Sequence, residues 1–161
     1  MARAGAGDEQ KVDRSLEGWP IAEFRLVDQH GTAFGREELL GRWTFMLVGT
    51  EGSAAALQAL DGLTRRIRLT EAVLTTQVVL VAHDPAALKR VLEPYDPYWV
   101  GASGPRRVLA RLADDLGVEG GEPDGSLALV DPQGFVHVRY LAPFDVLRLT
   151  AHYLKARALY R

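Results

Sequence analysis

A strand, a small polar turn and the start of a helix follow one another in residues 48–60, which read VGTEGSAAALQAL. The turn contains Thr50, Glu51 and Ser53, and α/β proteins commonly bind ligands where a strand ends in such a turn. Backbone N–H groups at the start of a helix suit a phosphate or a carboxylate, but no GxxxxGK[ST] pattern accompanies them. The sequence therefore favours Ser53 as a plain helix N-cap and leaves an ion or small-ligand site at Thr50, Glu51 and Ser53 as the alternative.

His83 and Asp84 follow the second continuous apolar run, TQVVLVA, where the chain enters the segment PAALKRVL. Carboxyl ends of neighbouring parallel strands meet at one edge of a sheet, so these side chains could approach Glu51 and form a weak nitrogen and oxygen metal site or an acid-base group. The simpler interpretation is structural, with His83 closing the strand and Asp84 capping a helix. The sequence favours the structural interpretation and leaves the ligand-binding one open.

The chain contains no cysteine among its 161 residues. Thiol-disulfide exchange and peroxide reduction by a thiol both need a cysteine nucleophile, so neither reaction is open to this chain. The GxSxG elbow of hydrolases and the HExxH helix of zinc proteases are also absent from the sequence. We expect no catalytic residue and no thiol-redox enzyme.

Composition and charge exclude several classes of partner. The net charge of −2 gives no electrostatic reason to expect nucleic acid or an anionic membrane. No run approaches the ~20 apolar residues that a membrane span needs, and residues 1–15 lack the apolar centre of a secretory signal. We expect no nucleic-acid partner and no membrane insertion within this chain, and the oligomeric state stays open.

The hydrophobic pattern predicts an α/β fold. Residues 1–18 are small, polar and charged and predict a flexible N-terminal tail, whereas residues 19–161 predict a single domain. Residues 23–34 alternate around a His-Gly turn and predict a hairpin. Apolar runs then alternate with helical periodicity, before a final hairpin and a closing helix. This order is that of a thioredoxin-like fold with an N-terminal β-hairpin extension and a central mixed sheet flanked by helices.

The other histidines and the aromatic cluster receive structural interpretations. His137 alternates with valines and is expected on the exposed face of a strand, and His152 on a surface helix. Tyr98 and Trp99 suit either a partner surface or the core at a strand entry.

Several segments of the chain carry a family resemblance: FRLVDQHGTAFGREELLGRWTFMLVGTEGS, VVLVAHDP and DGSLALVDPQGFVHVRY, in this order. They resemble the Sco/SenC copper proteins, which serve in cytochrome c oxidase assembly, over about residues 24–154. The resemblance implies a thioredoxin-like fold. In members of that family, the two cysteines of a CxxxC motif and a histidine form a copper site, so the resemblance also points to the matching positions of this chain.

The positions of this chain that match the family's copper ligands hold no donor side chain. With Thr50 aligned on the family threonine, the cysteines correspond to Gly52 and Ala56, and the histidine corresponds to Gly125. Cu(I) is a soft cation that prefers thiolate and imidazole ligands. The resemblance therefore implies a degenerate site at which we expect no copper and no other cofactor.

The functional expectation follows from the resemblance and from the missing ligands. We expect a non-catalytic, cysteine-free Sco/SenC-like domain that acts by contacts with an unidentified protein partner, accessory to copper handling or cytochrome oxidase assembly. The alternative is a small-ligand or weak metal-binding protein that uses Glu51, His83 and Asp84. The resemblance favours a periplasmic or other extracytoplasmic location if a leader or anchor has been removed, and a cytoplasmic one holds if Met1 is native.

Overall fold

A computed structural model of the chain describes residues 10–49, 54–118 and 125–160. Eight strands form one sheet in these residues: β1 (Lys11–Asp13), β2 (Arg25–Asp28), β3 (Ala33–Gly35), β4 (Trp43–Val48), β5 (Thr76–Val81), β6 (Val100–Ser103), β7 (Leu127–Val130) and β8 (Val136–Leu141). Their spatial order is β1-β8-β7-β4-β5-β6-β2-β3. Strands β4, β5 and β6 are mutually parallel and every other pairing is antiparallel, so the predicted mixed sheet is confirmed.

The central strands are buried on both faces, as their continuous apolar sequences predict. Successive side chains of a strand point to opposite faces. In β4, accordingly, Phe45 and Leu47 join one hydrophobic core, whereas Met46 and Val48 join a second core across the sheet. The sheet therefore needs helices on both of its faces.

Four helices in the described residues cover these two cores: α1 (Ala54–Ile67), α2 (Pro85–Leu92), α3 (Arg106–Asp115) and α4 (Val146–Leu159). Buried residues of α1, α2 and α4 belong to the first core, and those of α3 to the second. The helical periodicity of the sequence after β4 is confirmed in α1, because Leu57, Leu60, Leu63 and Ile67 recur at three- and four-residue steps and are all buried. This two-sided arrangement is the thioredoxin-like fold that the order of elements predicts.

The predicted N-terminal hairpin is confirmed as β2 and β3, which pair antiparallel and place the hairpin beside β6. A 3-10 turn over Arg36–Leu39 follows β3. The hairpin thus extends the sheet at the edge opposite to β1.

The prediction of a flexible tail up to residue 18 is wrong for the described part of that segment. Strand β1 pairs with β8 in the register Val12 to Tyr140, and the Gln10 side-chain amide donates to the Leu141 carbonyl at 2.7 Å. The Gly18 N–H also donates to the Val136 carbonyl at 2.8 Å. The segment is held by non-local backbone hydrogen bonds rather than by an apolar pattern, which is why composition did not predict it. Residues 1–9 lie outside the described residues.

In the parts of the chain that the structure describes, no helix is both long enough and apolar enough to span a membrane.

Candidate functional site

The carboxyl ends of β4 and β5 meet the start of β7 at one edge of the sheet. Val48 lies opposite Val81 in the parallel pair, and the Gly49 N–H donates to the Val81 carbonyl at 2.7 Å. The antiparallel β4–β7 pairing places Met46 opposite Ala128, so Gly49 after β4 and Gly125 before β7 lie at the same edge of the sheet. The segments that resemble the family site therefore converge at this edge.

Part of the predicted site lies outside the described residues. Thr50, Glu51, Gly52 and Ser53 belong to this part. The ion or ligand site predicted for Thr50, Glu51 and Ser53 therefore stays a prediction, as does the assignment of Gly52 to a copper-ligand position.

Ala56 and Gly125 are the described members of the degenerate copper site. Ala56 lies in the first turn of α1, is 1% exposed, and packs its methyl group into the core that α1 covers. Gly125 adopts a φ of +74° just before β7, and an added Cβ would meet nothing within 4 Å. Neither side chain has an atom that can bind a metal.

The residues aligned with the copper ligands do not fit a site of two thiolates and one imidazole. A methyl group and two hydrogens replace all three donors at Ala56, Gly52 and Gly125, and the cation that the family carries is soft. No group of three or more histidine, aspartate or glutamate side chains that could hold a metal occurs in residues 10–49, 54–118 and 125–160.

His83 is exposed at the same sheet edge, two residues beyond β5. Its Nδ1 lies 2.9 Å from the Gly104 carbonyl oxygen, and a carbonyl oxygen only accepts, so Nδ1 carries the proton and donates. Gly104 follows β6, which lies on the side of β5 away from β4. The ring is therefore held toward β6 and away from the Gly49 and Gly125 pair.

Asp84 caps a helix, as one of the two interpretations predicts. Its carboxylate accepts from the Ala86 N–H at 2.9 Å, and Pro85 occupies the first turn of α2. An N-cap side chain of this kind satisfies a helix N–H that has no partner within the helix. The hydrogen bonds of His83 and Asp84 thus serve the local backbone, and whether either residue also binds a ligand stays a prediction.

A polar cluster between β8, α4 and the N-terminal segment was not expected from the sequence. His152 Nδ1 lies 2.7 Å from the Tyr140 hydroxyl, and the Arg14 guanidinium donates to His152 Nε2 at 3.0 Å. The His137 ring meets Trp43 edge-on at 5.4 Å between centroids. Both histidines are half-buried and line a cavity of about 510 Å³.

The predictions of an exposed His137 and a surface His152 are therefore corrected. Burial lowers the pKa of both imidazoles, and the nearby Arg14 charge lowers that of His152 further. The alternation around His137 was read correctly as a strand, but the β7–β8 register is irregular beside this residue, and side chains of the N-terminal segment and of α4 line the cavity next to it. Of the two aromatic residues at the entry to β6, Trp99 belongs to the core and is 3% exposed, whereas Tyr98 is 89% exposed on the surface.

Known proteins give the site its family context. No protein-family model matches the chain. An SCO2-like protein of Rickettsia felis is 30% identical over 110 residues, which cover 65% of this chain and 56% of that protein. A protein of Stutzerimonas stutzeri named for copper binding is 30% identical over 145 residues, which cover 78% of this chain and 71% of that protein.

Among solved structures, yeast Sco1 with copper bound matches with a TM-score of 0.74 and 19% identity over 89% of this chain and 95% of that one. This likeness shows the thioredoxin-like fold. The sequence relatives, the solved fold and the order of the matched segments agree, and the chain belongs to the Sco/SenC family.

Proposed function

We propose that this chain is a non-enzymatic Sco/SenC domain that acts through protein contacts, as an accessory to copper handling or cytochrome oxidase assembly. The observation that carries the proposal is the chemistry of the ligand positions. Ala56 is an alanine packed in the core and Gly125 is a glycine, within a fold that is otherwise of the family's kind. A scaffold without the family's donor atoms is left with its surface as the means of action.

The absence of thiols supports the non-enzymatic part of the proposal. Thioredoxin-like relatives include a thiol-disulfide oxidoreductase, and exchange of this type starts with the attack of a thiolate on a disulfide sulfur. This chain contains no cysteine. We therefore propose that it neither forms nor reduces disulfides through its own side chains.

The experiment that tests the proposal is a copper competition assay on the purified chain. Cu(I) and Cu(II) are titrated separately against a chromogenic chelator, with His83→Ala as the matched variant. We expect no copper retention beyond the chelator background in either protein. A stoichiometric submicromolar Cu(I) site in the unmodified chain would overturn the proposal.

One observation favours a second candidate function, a ligand site at His83. The Gly104 carbonyl fixes Nδ1 as the protonated nitrogen and leaves the lone pair of Nε2 available on an exposed ring, an arrangement that metal-binding histidines commonly use. Asp84 is adjacent to it in the chain, and Glu51, which lies outside the described residues, completes the predicted set in this candidate. Retention of Cu(II) or another divalent cation by the unmodified chain, lost in His83→Ala, would select this function over the first.

A further inference from the structure

A groove of about 950 Å³ lies between the β2–β3 hairpin and α3. We call it the hairpin groove. Its floor contains the buried side chains of Leu26 and Phe34 from the hairpin and Leu112 from α3. The site-like edge at Gly49 and Gly125 does not belong to its lining. These three side chains are each less than 5% exposed, so the surface of the groove that a partner can reach is formed mainly by its polar and charged residues.

Three exposed arginines line the hairpin groove: Arg25 from β2, and Arg107 and Arg111 from α3. None of them forms an ion pair with a carboxylate in the part of the chain that the structure describes. Arg107 and Arg111 are four residues apart on one helix, so their side chains lie on the same face. Their guanidinium groups are available to carboxylates from outside the chain.

Three other charged side chains of the groove have hydrogen-bond partners on the backbone. Glu38 accepts from the Gly35 N–H at 2.6 Å, and Asp115 accepts from the Ala22 N–H at 3.0 Å. Arg36 donates to the Ile21 carbonyl at 2.7 Å.

Glu23 and Glu37 are exposed and also line the groove. The lining has four arginines and four acidic residues, so attraction of a partner depends on local pairing with the free arginines rather than on net charge.

The charges of α3 oppose the helix dipole. Arg106 and Arg107 stand in its first turn and Asp114 and Asp115 in its last, and no side chain caps its N-terminus. Cations near a helix N-terminus and anions near its C-terminus are both unfavourable. Helix stability therefore does not account for Arg106 and Arg107, of which only Arg107 lines the groove.

Trp19 stands at the Asp115 end of the groove. Its indole Nε1 lies 3.5 Å from the Asp115 carboxylate, and the residue is 50% exposed. Tryptophan and arginine are the residue types that most often dominate binding energy at protein interfaces. The other two tryptophans, Trp43 and Trp99, are 4% and 3% exposed, so Trp19 is the natural fluorescent reporter of this surface.

We propose that the hairpin groove binds an extended acidic segment of a partner protein. Carboxylates at alternate positions of the segment pair with Arg107 and Arg111, because residues i and i+2 of an extended chain are spaced by roughly 6 to 7 Å, close to the separation of side chains one helical turn apart. The side chain between them points away from α3, because successive side chains of an extended segment lie on opposite faces. The inference rests on the proposed action through protein contacts and names its surface.

The test uses a synthetic peptide as the probe, Glu-Leu-Glu-Phe-Glu-Leu with blocked ends, and the same peptide with lysine in place of glutamate. Binding is followed by Trp19 emission and by the anisotropy of a labelled copy at low salt. We expect saturable binding of the acidic peptide alone. The double variant Arg107→Glu with Arg111→Glu should weaken it by about tenfold or more.

The matched control is Arg66→Glu with Arg90→Glu, which changes the net charge equally on exposed positions of α1 and α2 outside the groove. It should leave the affinity within about twofold, and Trp19→Phe should remove the emission change. Equal weakening in both double variants, or no saturable binding up to about 1 mM peptide, would overturn the inference.

Failure of the inference is distinguishable from failure of the proposed function. Site-specific crosslinkers placed at Arg111 and, on a different face, at Arg66 report contacts of the whole chain in cells. A defined partner captured from Arg66 and not from Arg111 would overturn the groove and leave the contact function standing. Copper retention by the chain would contradict the function itself without involving the groove.

Discussion

At the scale of single residues, two hydrogen-bond partners hold His152 in one protonation state. Arginine has no acceptor atom, so the contact with Arg14 at 3.0 Å requires an unprotonated Nε2. The proton of the neutral ring is then on Nδ1, which donates to the Tyr140 hydroxyl. Protonation of Nε2 would break the Arg14 contact and place two cations side by side.

Acidification should therefore destabilise the fold. Burial places the folded-state pKa of His137 and His152 below the ordinary value of 6.5, so the unfolded chain takes up protons first. The stability that the two neutral imidazoles contribute is complete above their unfolded-state pKa. It is lost as the pH falls from the unfolded-state pKa toward the folded-state pKa values. We expect the free energy of unfolding in urea to fall as the pH is lowered from roughly 7.5 to 5.

His152→Gln should flatten this pH dependence, whereas His30→Gln, at the exposed hairpin turn, should leave it unchanged. An equal slope in all three proteins would show that neither the Arg14 contact nor burial of His152 governs acid sensitivity.

At the scale of elements, β1 depends on one charged pair as well as on its ladder. The Arg139 guanidinium lies 2.5 Å from the Asp13 carboxylate. The Ser15 backbone N–H and this guanidinium lower the pKa of Asp13 from 3.8 to about 2. The stabilisation is complete above the unfolded pKa and is lost as the pH falls toward the folded value.

Asp13→Asn should lower the free energy of unfolding by about 1 to 2 kcal/mol near neutral pH, because it weakens the attachment of β1 to β8. The difference from the unmodified chain should shrink toward pH 2 to 3. Urea unfolding measures it, with Asp61→Asn, whose partner Arg65 is 72% exposed, as a control expected within about 0.5 kcal/mol of the unmodified chain. If Asp13→Asn left the free energy of unfolding unchanged, backbone hydrogen bonds alone would hold β1.

The contact of α2 with the sheet depends on a glycine in β6. A Cβ added at Gly101 would lie 2.5 Å from Leu92 Cδ1 and 3.0 Å from Leu88 Cγ. Gly101→Ala should therefore destabilise the fold by about 1 to 3 kcal/mol, measured by urea unfolding. In a Leu92→Ala background the same substitution should cost clearly less, and strict additivity of the two changes would contradict this packing account.

The elements differ in how far the sequence predicts them, for physical reasons. Strand β4 is buried on both faces, so its local run of apolar residues predicts it. Asp84 and Pro85 likewise mark the start of α2 through local chemistry. Strand β1 carries no local signal, because its pairing with β8 joins residues about 130 positions apart.

The candidate site was predictable only in part. The loss of donors at Ala56 and Gly125 can be read directly from residue types, given the resemblance. The orientation of the His83 ring cannot be read from residue types, because the Gly104 carbonyl that turns the ring toward β6 lies 21 residues away. The arginines of α3 were also predictable as residues, but the groove they line requires knowing that the hairpin packs beside α3.

At the scale of the whole molecule, the core that Ala56 joins is packed by hydrophobic side chains. Two hydrophobic cores fill the two faces of the sheet, and residues as large as Tyr140 and Tyr153 are fully buried in the first. A ligand that binds only the folded state would raise the thermal midpoint. We expect the midpoint to be unchanged by copper or by a chelator, and a clear upward shift with copper would contradict a degenerate site.

The most direct test of the central claim compares the unmodified chain with a variant in which the family ligands are restored, Gly52→Cys with Ala56→Cys and Gly125→His. Space is available for the histidine at Gly125, and histidine is among the residues better tolerated at a positive φ. The measurement is Cu(I) competition against a chromogenic chelator under reducing conditions. The account predicts no binding by the unmodified chain and one Cu(I) bound by the variant. Stoichiometric, submicromolar binding by the unmodified chain would contradict it.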